Sequence, residues 1–427
     1  MAGRQIGPGI QSHPQQALFC VFSGERPVRH RSLIRWPLML FFGLLVCVPA
    51  LAGPPSPTIG LGPRDALLVT DPDGQVLAAH NPDRTLVPAS TLKVVTALAA
   101  RHYLGADFRF QTDFFLDPDG RLLIKGYGDP LLVSEVLVDI ARELRRRIQT
   151  PITAVLLDDR YFRQPLVIPG VSTSTNPYDA PNGALSVNFN TVNFKTRQGR
   201  IVSAEPQTPL LPVVMKRIRA SGLTRGRIVL SHHGHEAVLY AGEMIRYFLR
   251  EAGVRVQGPV SLAPESITDK ALVYRHTSPF SLDALVSRLM AYSNNFMANQ
   301  LLVAIGVQVY GAPGNLTKGA RALSIYLTDV LGVGDARIVE GSGISRNNRI
   351  SARSLMSALM RFEPYRHLMT QEAGIYFKTG TLKGVRTRVG YIESDGGRPH
   401  RFVLLLNTPG KRPEPILRRI RALVPRP

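Results

Sequence analysis

From Leu92 to Ala99 the sequence is apolar nearly all the way round a helix, with Leu92, Val94, Val95, Ala97, Leu98 and Ala99 spread over every face. A helix of that kind cannot lie on a surface. Other elements have to wrap it, so the fold of this chain must be built around it. Pro88-Ala89 leads in, and at the entrance stand two residues of another character, Ser90 and Lys93. Three apart at the start of a helix, their side chains share one face. The chain has 427 residues, 44% of them hydrophobic and 19% charged, which is enough to bury a large core and to form two or three domains.

The wrapping elements are expected from both ends of the chain. Residues 65–70, an Asp71-Pro72-Asp73-Gly74 turn and residues 75–79 read as a β-hairpin. From about residue 278 helical periodicity runs through 281–309, 318–331 and 352–362. Strand candidates follow at 375–379, 386–393 and 401–407, joined by loops containing Gly384 and Asp395-Gly396-Gly397, and an amphipathic helix spans 413–423. Between the two ends the character changes. Short β-like runs at 114–116, 122–125 and 154–158, a helix near 134–147 and Pro-rich loops at 165–181 and 206–212 read as an α/β insert. The expected fold class is α/β (α+β), an antiparallel sheet flanked by helices. Residues 64–110 plus 277–427 form one discontinuous domain, into which 111–276 is inserted. No repeat, phosphate-binding loop or Gly-rich dinucleotide fingerprint is present in the sequence.

The first 52 residues differ from all of this. Arg26, Arg29, Arg31 and Arg35 precede an apolar run from Pro37 that closes on Ala50-Leu51-Ala52, the pattern of a secretory signal peptide. The run is shorter than the roughly 20 residues a membrane span needs, so cleavage after Ala52 is expected, with residues 53–63 as a Pro/Gly-rich linker. Both cysteines, Cys20 and Cys47, lie in this leader, which leaves the exported chain without disulfides, thiol catalysis or Cys-ligated metal. The expected location is the periplasm or cell envelope of a bacterium. The leader carries five Arg and one Glu, so the formal charge of +21 falls to +17 without it. That charge suits an anionic membrane or wall surface. Nucleic acid is not expected as a partner, given the export signal, a single Trp and basic residues scattered along the chain.

Three short segments carry the chemistry: Ser90-Thr91-Leu92-Lys93, Ser293-Asn294-Asn295 and Lys378-Thr379-Gly380-Thr381. Alone, each is also what a helix cap, a polar connection between helices or an exposed edge strand would give. In this order and context they make an acyl-transfer site. A serine hydroxyl needs a base, and burial or a neighbouring cation lowers a lysine pKa until Lys93 can take the Ser90 proton. Ser293 and Asn295, following helical residues 282–292, can bridge the lysine and hold a substrate amide. Within a strand, Gly380 lets a substrate backbone approach, while Lys378, Thr379 and Thr381 can bind a carboxylate. The N–H groups of Ser90 and Thr381 are candidate oxyanion donors.

The trio is the motif set of penicillin-binding proteins and class A β-lactamases. Further segments, among them Gly128-Asp129-Pro130, Tyr178-Asp179-Ala180-Pro181, Leu185-Ser186-Val187-Asn188, Tyr240-Ala241-Gly242 and Gly341-Ser342-Gly343-Ile344-Ser345-Arg346, resemble those of the low-molecular-mass class C penicillin-binding proteins. These are D-alanyl-D-alanine carboxypeptidases and endopeptidases. The resemblance implies the penicillin-binding protein/serine β-lactamase-like transpeptidase fold, and Ser90 as the acylated nucleophile with Lys93 as its base. It also implies Ser293 and Asn295 as the second motif, Lys378 to Thr381 as the substrate strand, and Arg346 and Tyr178 in the pocket for the stem-peptide diamino acid. Peptidoglycan stem peptides are then the substrate, β-lactam antibiotics are covalent inhibitors, and no cofactor or metal is required. Two departures stand out. Residues 171–177 contain no Asp or Glu where the group has an acid, and the stretch between Phe362 and Lys378 is short.

Two other readings remain at this stage. One is a catalytically weak peptidoglycan-binding protein. The other is a β-lactamase, with Tyr292-Ser293-Asn294 as its second motif, although no Glu-x-x-x-Asn deacylation motif is present. Carboxypeptidase against endopeptidase preference and oligomeric state stay open.

Overall fold

The computed structural model describes residues 60–233, 235–265, 270–394 and 397–425. The leader with its two cysteines, the cleavage point after Ala52 and most of the 53–63 linker lie outside the described residues, as do Asp395 and Gly396.

The hairpin forms as β1 (Asp65–Thr70) and β2 (Val76–His80). Its turn is set by Asp71, whose Oδ1 accepts from the N–H groups of Asp73 and Gln75 at 2.9 and 2.8 Å. A tight 3₁₀ turn, Ala89–Leu92, then leads into α1 (Lys93–Leu104).

Residues 111–277 build β3 (Gln111–Leu116), β4 (Arg121–Gly126), α2 (Ser134–Arg147), β5 (Ala154–Asp158), β6 (Thr191–Arg197) and β7 (Arg200–Ser203). They continue with α3 (Pro212–Ala220), β8 (Arg225–Val229), α4 (Glu236–Glu251), β9 (Val260–Leu262) and β10 (Ala271–Thr277). One sheet has the order β10-β3-β4-β5-β9, parallel from β4 to β9; a smaller antiparallel one has the order β7-β6-β8. Phe114, Leu122 and Leu157 of the sheet pack with Leu137, Tyr240 and Met244 of α2 and α4 in one apolar cluster.

The remaining elements are α5 (Leu282–Tyr292), α6 (Asn295–Tyr310), α7 (Leu316–Ile325) with a π turn over Tyr326–Val330, and α8 (Ala352–Phe362). After these come β11 (Thr370–Glu372), β12 (Ile375–Leu382), β13 (Val385–Ile392), β14 (His400–Leu406) and α9 (Pro413–Ala422). The helical periodicity of 281–309 is two helices. Ser293 turns into the left-handed region (φ 53°), and Asn294 caps the second helix by accepting from the Met297 N–H at 3.0 Å. That break carries the second motif.

A six-stranded antiparallel sheet runs β11-β12-β13-β14-β1-β2, so strands from opposite ends of the sequence lie side by side. All seven residues of β14 are buried. On one face Val403 and Leu405 meet Ala66, Leu68 and the helices α1 and α8; on the other Phe402, Leu404 and Leu406 meet Leu67, Val69 and Ile416 and Ile420 of α9. Helix α1 is enclosed as its sequence requires. Lys93 to Ala100 are all buried, and α5, α6, α7 and α8 all contact it. Each fully buried Leu or Val there contributes on the order of 2 kcal/mol.

Candidate active site

Ser90 sits in the 3₁₀ turn that opens α1, where side chains three apart eclipse one another. Its Oγ accepts from the Lys93 Nζ at 2.9 Å. Lys93 is 0% exposed and also donates to Asn295 Oδ1 at 2.8 Å and to the Ser342 carbonyl at 2.7 Å. Burial, and after it the positive charge of Lys378, pushes the Lys93 amine well below its usual value of 10.5; Glu340 pulls weakly the other way. Once neutral, the amine keeps two N–H bonds, to Asn295 and Ser342, and turns its lone pair to the Ser90 hydroxyl, a base in place.

Lys378, 2% exposed on β12, donates to Ser293 Oγ at 2.8 Å and to the Thr379 carbonyl at 3.0 Å. Burial lowers it to about 8. The three segments therefore meet through two lysines, each bonded to a residue of the Ser293–Asn295 break. β11 pairs with β12 only over Ile375 to Phe377, so among the described residues Lys378 to Leu382 present a free strand edge.

A third set of residues holds this geometry. Thr91 and Thr387 both donate their hydroxyls to the Pro88 carbonyl at 2.7 Å. Asn407, just past β14, accepts from the Val87 N–H at 3.0 Å and donates to its carbonyl at 3.1 Å. Ala89 itself has φ 47°, and two glycines make room for it. A β-carbon on Gly343 would stand 1.8 Å from the Ala89 oxygen, and one on Gly380 would stand 2.8 Å from the Ser90 nitrogen.

Glu340 was not singled out in the sequence. It is 0% exposed, and accepts from the N–H and hydroxyl of Ser342 at 2.7 and 2.6 Å, from the Gly343 N–H at 2.7 Å and from Asn348 Nδ2 at 2.6 Å. Asn299 Nδ2 adds a bond at 3.2 Å. The carboxylate thus organises the Gly341–Arg346 loop whose carbonyl meets Lys93. Its signal in the sequence is indirect: an acid directly before a Gly-Ser-Gly run whose backbone N–H groups need an acceptor.

Tyr178 is 55% exposed, and its carbonyl accepts from Asn295 Nδ2 at 3.4 Å, which puts it at the rim of the second motif. Arg346 is exposed and donates to the Lys383 carbonyl, just beyond β12. Thr379 and Thr381 lie on the sheet face opposite Lys378 and Gly380. Near the segment without acids, Asp179 is buried and taken up by Ser172 and Ser174, whose hydroxyls donate to it at 2.6 and 2.5 Å. Among the described residues no group of three His, Cys, Asp or Glu is arranged to hold a metal ion.

The model of the D-Ala-D-Ala carboxypeptidase 3 (S13) family matches residues 65–221 and 224–367. The D-alanyl-D-alanine carboxypeptidase DacB of Haemophilus influenzae is 25% identical over 398 residues, covering 78% of this chain and 83% of that protein. The D-alanyl-D-alanine carboxypeptidase of Actinomadura sp. strain R39 is 27% identical over 425 residues, covering 82% and 77%. In three dimensions the crystal structure of penicillin binding protein 4 (dacB) from Haemophilus influenzae superposes with a TM-score of 0.68 at 21% identity, over 84% of this chain and 95% of that one. The chain therefore belongs to the D-Ala-D-Ala carboxypeptidase 3 (S13) family, with the penicillin-binding protein fold and the acyl-serine carboxypeptidase activity that define it.

Proposed function

We propose that Ser90 is the residue acylated and that Lys93 is its base, acting on D-Ala–D-Ala termini or D-Ala cross-links of peptidoglycan stem peptides. The Ser90 oxygen attacks the penultimate D-Ala carbonyl as its proton passes to Lys93. The N–H groups of Ser90 and Thr381 receive the oxyanion. The amine leaves with a proton returned through Lys93 and Ser293, and water then releases the acyl group by the same relay. Lys378 holds the terminal carboxylate at the free edge of β12, Thr379 and Thr381 flank that edge from the other face of the sheet, and Arg346 and Tyr178 border the diamino-acid side chain. Penicillin acylates the same serine.

The observation that carries this reading is the 2.9 Å bond between a fully buried Lys93 and Ser90. Labelled penicillin is expected to attach covalently to the protein and not to its Ser90→Ala variant. Equal labelling of the two, or none of a folded wild type, overturns the assignment.

The same reading takes residues 64–110 with 277–427 as the catalytic domain and 111–276 as the insert. It takes 1–52 as a signal peptide that delivers the enzyme to the periplasm or cell envelope, where its substrate lies. The supports are the basic-apolar-small pattern of the leader and the charge that suits an anionic wall.

A further inference from the structure

From Thr191 to Val229 the chain carries eight Lys and Arg against one acid, Glu205. The fold of the insert sorts them. Val192, Phe194 and Ile228 of β6 and β8 join the apolar cluster with Val214 and Ile218 of α3, so that face of the small sheet belongs to the core. Alternation sends Lys195 and Arg197 of β6 to the other face.

The register then sets like charges against each other. Lys195 is opposite Arg225 on β8, and Arg197 is opposite Arg200 on β7, so four exposed cations spread over three strands share a single face. Directly opposed like charges destabilise a sheet, and these stand about 5 Å apart across it and about 7 Å apart along it. Among the described residues none of the four has a carboxylate partner: Glu205 is taken by Arg227, and Glu236 by Arg217. The exposed arginines of α2 are different. Arg142 pairs with Asp139, and Arg146 and Arg147 pair with Glu143. At the end of the basic sheet Leu223 is 48% exposed, two residues before Arg225, where the Thr224 carbonyl accepts from the Thr196 N–H at 2.8 Å.

We propose that this face docks the insert on an anionic lipid bilayer. A two-dimensional array of unpaired cations matches a plane of phosphate headgroups, and each charge near that plane adds to the attraction. Leu223 gives the array an apolar contact for the boundary of the acyl chains, which a soluble polyanion has no use for. A chain carried across a membrane by its leader, as proposed above, emerges beside such a surface. The inference goes beyond the acyl-transfer reading and does not depend on Ser90.

The test is sedimentation of the purified full chain with vesicles of phosphatidylcholine alone and of mixed phosphatidylcholine and phosphatidylglycerol. Tighter binding to the mixed vesicles is expected, weakening as salt is added. Any pull of the leader on the bilayer is common to wild type and variants. Arg197→Gln with Arg200→Gln is expected to weaken binding about 30-fold, and lysine at both positions to restore it. Leu223→Ser should weaken it about fivefold. Arg142→Gln with Arg146→Gln, on α2, should leave it unchanged. Equal binding to the two kinds of vesicle, or equal losses in the α2 pair and the sheet pair, overturns the proposal. So does binding that soluble polyphosphate displaces and Leu223→Ser leaves intact, since that assigns the face to a polymer. Thermal unfolding shows that the variants compared are folded, and penicillin labelling tests the acyl-enzyme reading separately.

Discussion

Lys93 and Glu340 are joined by a single residue. The Ser342 carbonyl accepts from the Lys93 amine at 2.7 Å, and the Ser342 N–H and hydroxyl both donate to Glu340 Oε2. Glu340→Gln places an amide NH2 where only donors converge. The loss is expected to be about 2–4 kcal/mol of stability, with penicillin acylation slowed by about 10- to 100-fold as the loop shifts. Chemical denaturation and stopped-flow acylation measure the two. A variant with wild-type values for both contradicts the role given to this carboxylate.

In the proposed mechanism acylation uses a neutral Lys93 and a charged Lys378. Its rate with peptide is expected to fall as pH rises through about 8, where Lys378 loses its proton. In Lys378→Met the descending limb near 8 should disappear and KM should rise. A descending limb that persists unchanged assigns it to another group.

The same lysine links stability to pH. Its folded value is about 8 and its unfolded value near 10.4, so the unfolded chain binds more protons between those limits and stability grows with pH across them. Relative to Lys378→Met, the wild type should gain stability from pH 8 to 10. Urea midpoints of both proteins read this difference, and a flat or falling one would refute it.

Gly343 has φ +82° and faces the Ala89 carbonyl, where a β-carbon would stand at 1.8 Å. Gly343→Ala therefore has to displace backbone, not a flexible side chain. A cost of about 2–4 kcal/mol is expected, with acylation reduced by at least about 100-fold because the displaced peptide is the one before Ser90. Acylation at the wild-type rate would show that the turn adapts.

Thr387 and Asn407 both hold the approach to Ser90, yet their removal should differ. Thr387→Val leaves the Pro88 carbonyl still bonded to Thr91, a loss of about 1 kcal/mol, whereas Asn407→Leu leaves a Val87 N–H and carbonyl both unpaired, about 2–4 kcal/mol. The acylation rate should fall in the same order, and equal effects would argue against the clamp.

What could be read beforehand follows from how much of each signal is local. Strands β12, β13 and β14, helix α8 and the hairpin β1–β2 appear within a residue or a few of their expected limits, because period and turn residues set them. The break at Ser293 was half visible: the motif marked the place, while the left-handed turn that makes two helices of one apolar run lies where Lys378, far along the sequence, bonds Ser293. Strands β6 to β8 went unseen. Their Lys, Arg and Gly residues carry little alternation, and they form by pairing with one another. Asn407 acts through the backbone of Val87 at the far end of the sequence, which no spacing rule reveals, whereas Glu340 serves N–H groups two and three residues on, a local need that an acid before Gly-Ser-Gly shows only indirectly.

The pairing of β1 with β14 sets Asp65 opposite Leu406, one of the longest sequence separations the chain allows. Contact order this high slows folding, since loop closure comes before the contacts that reward it. Synthesis has to pass Leu406 before β12 and β13 can be tied to the strand pair at the other end of the sheet. A polypeptide stopped before His400 would contain every residue from Ser90 to Thr381 and still lack the central strand that aligns them.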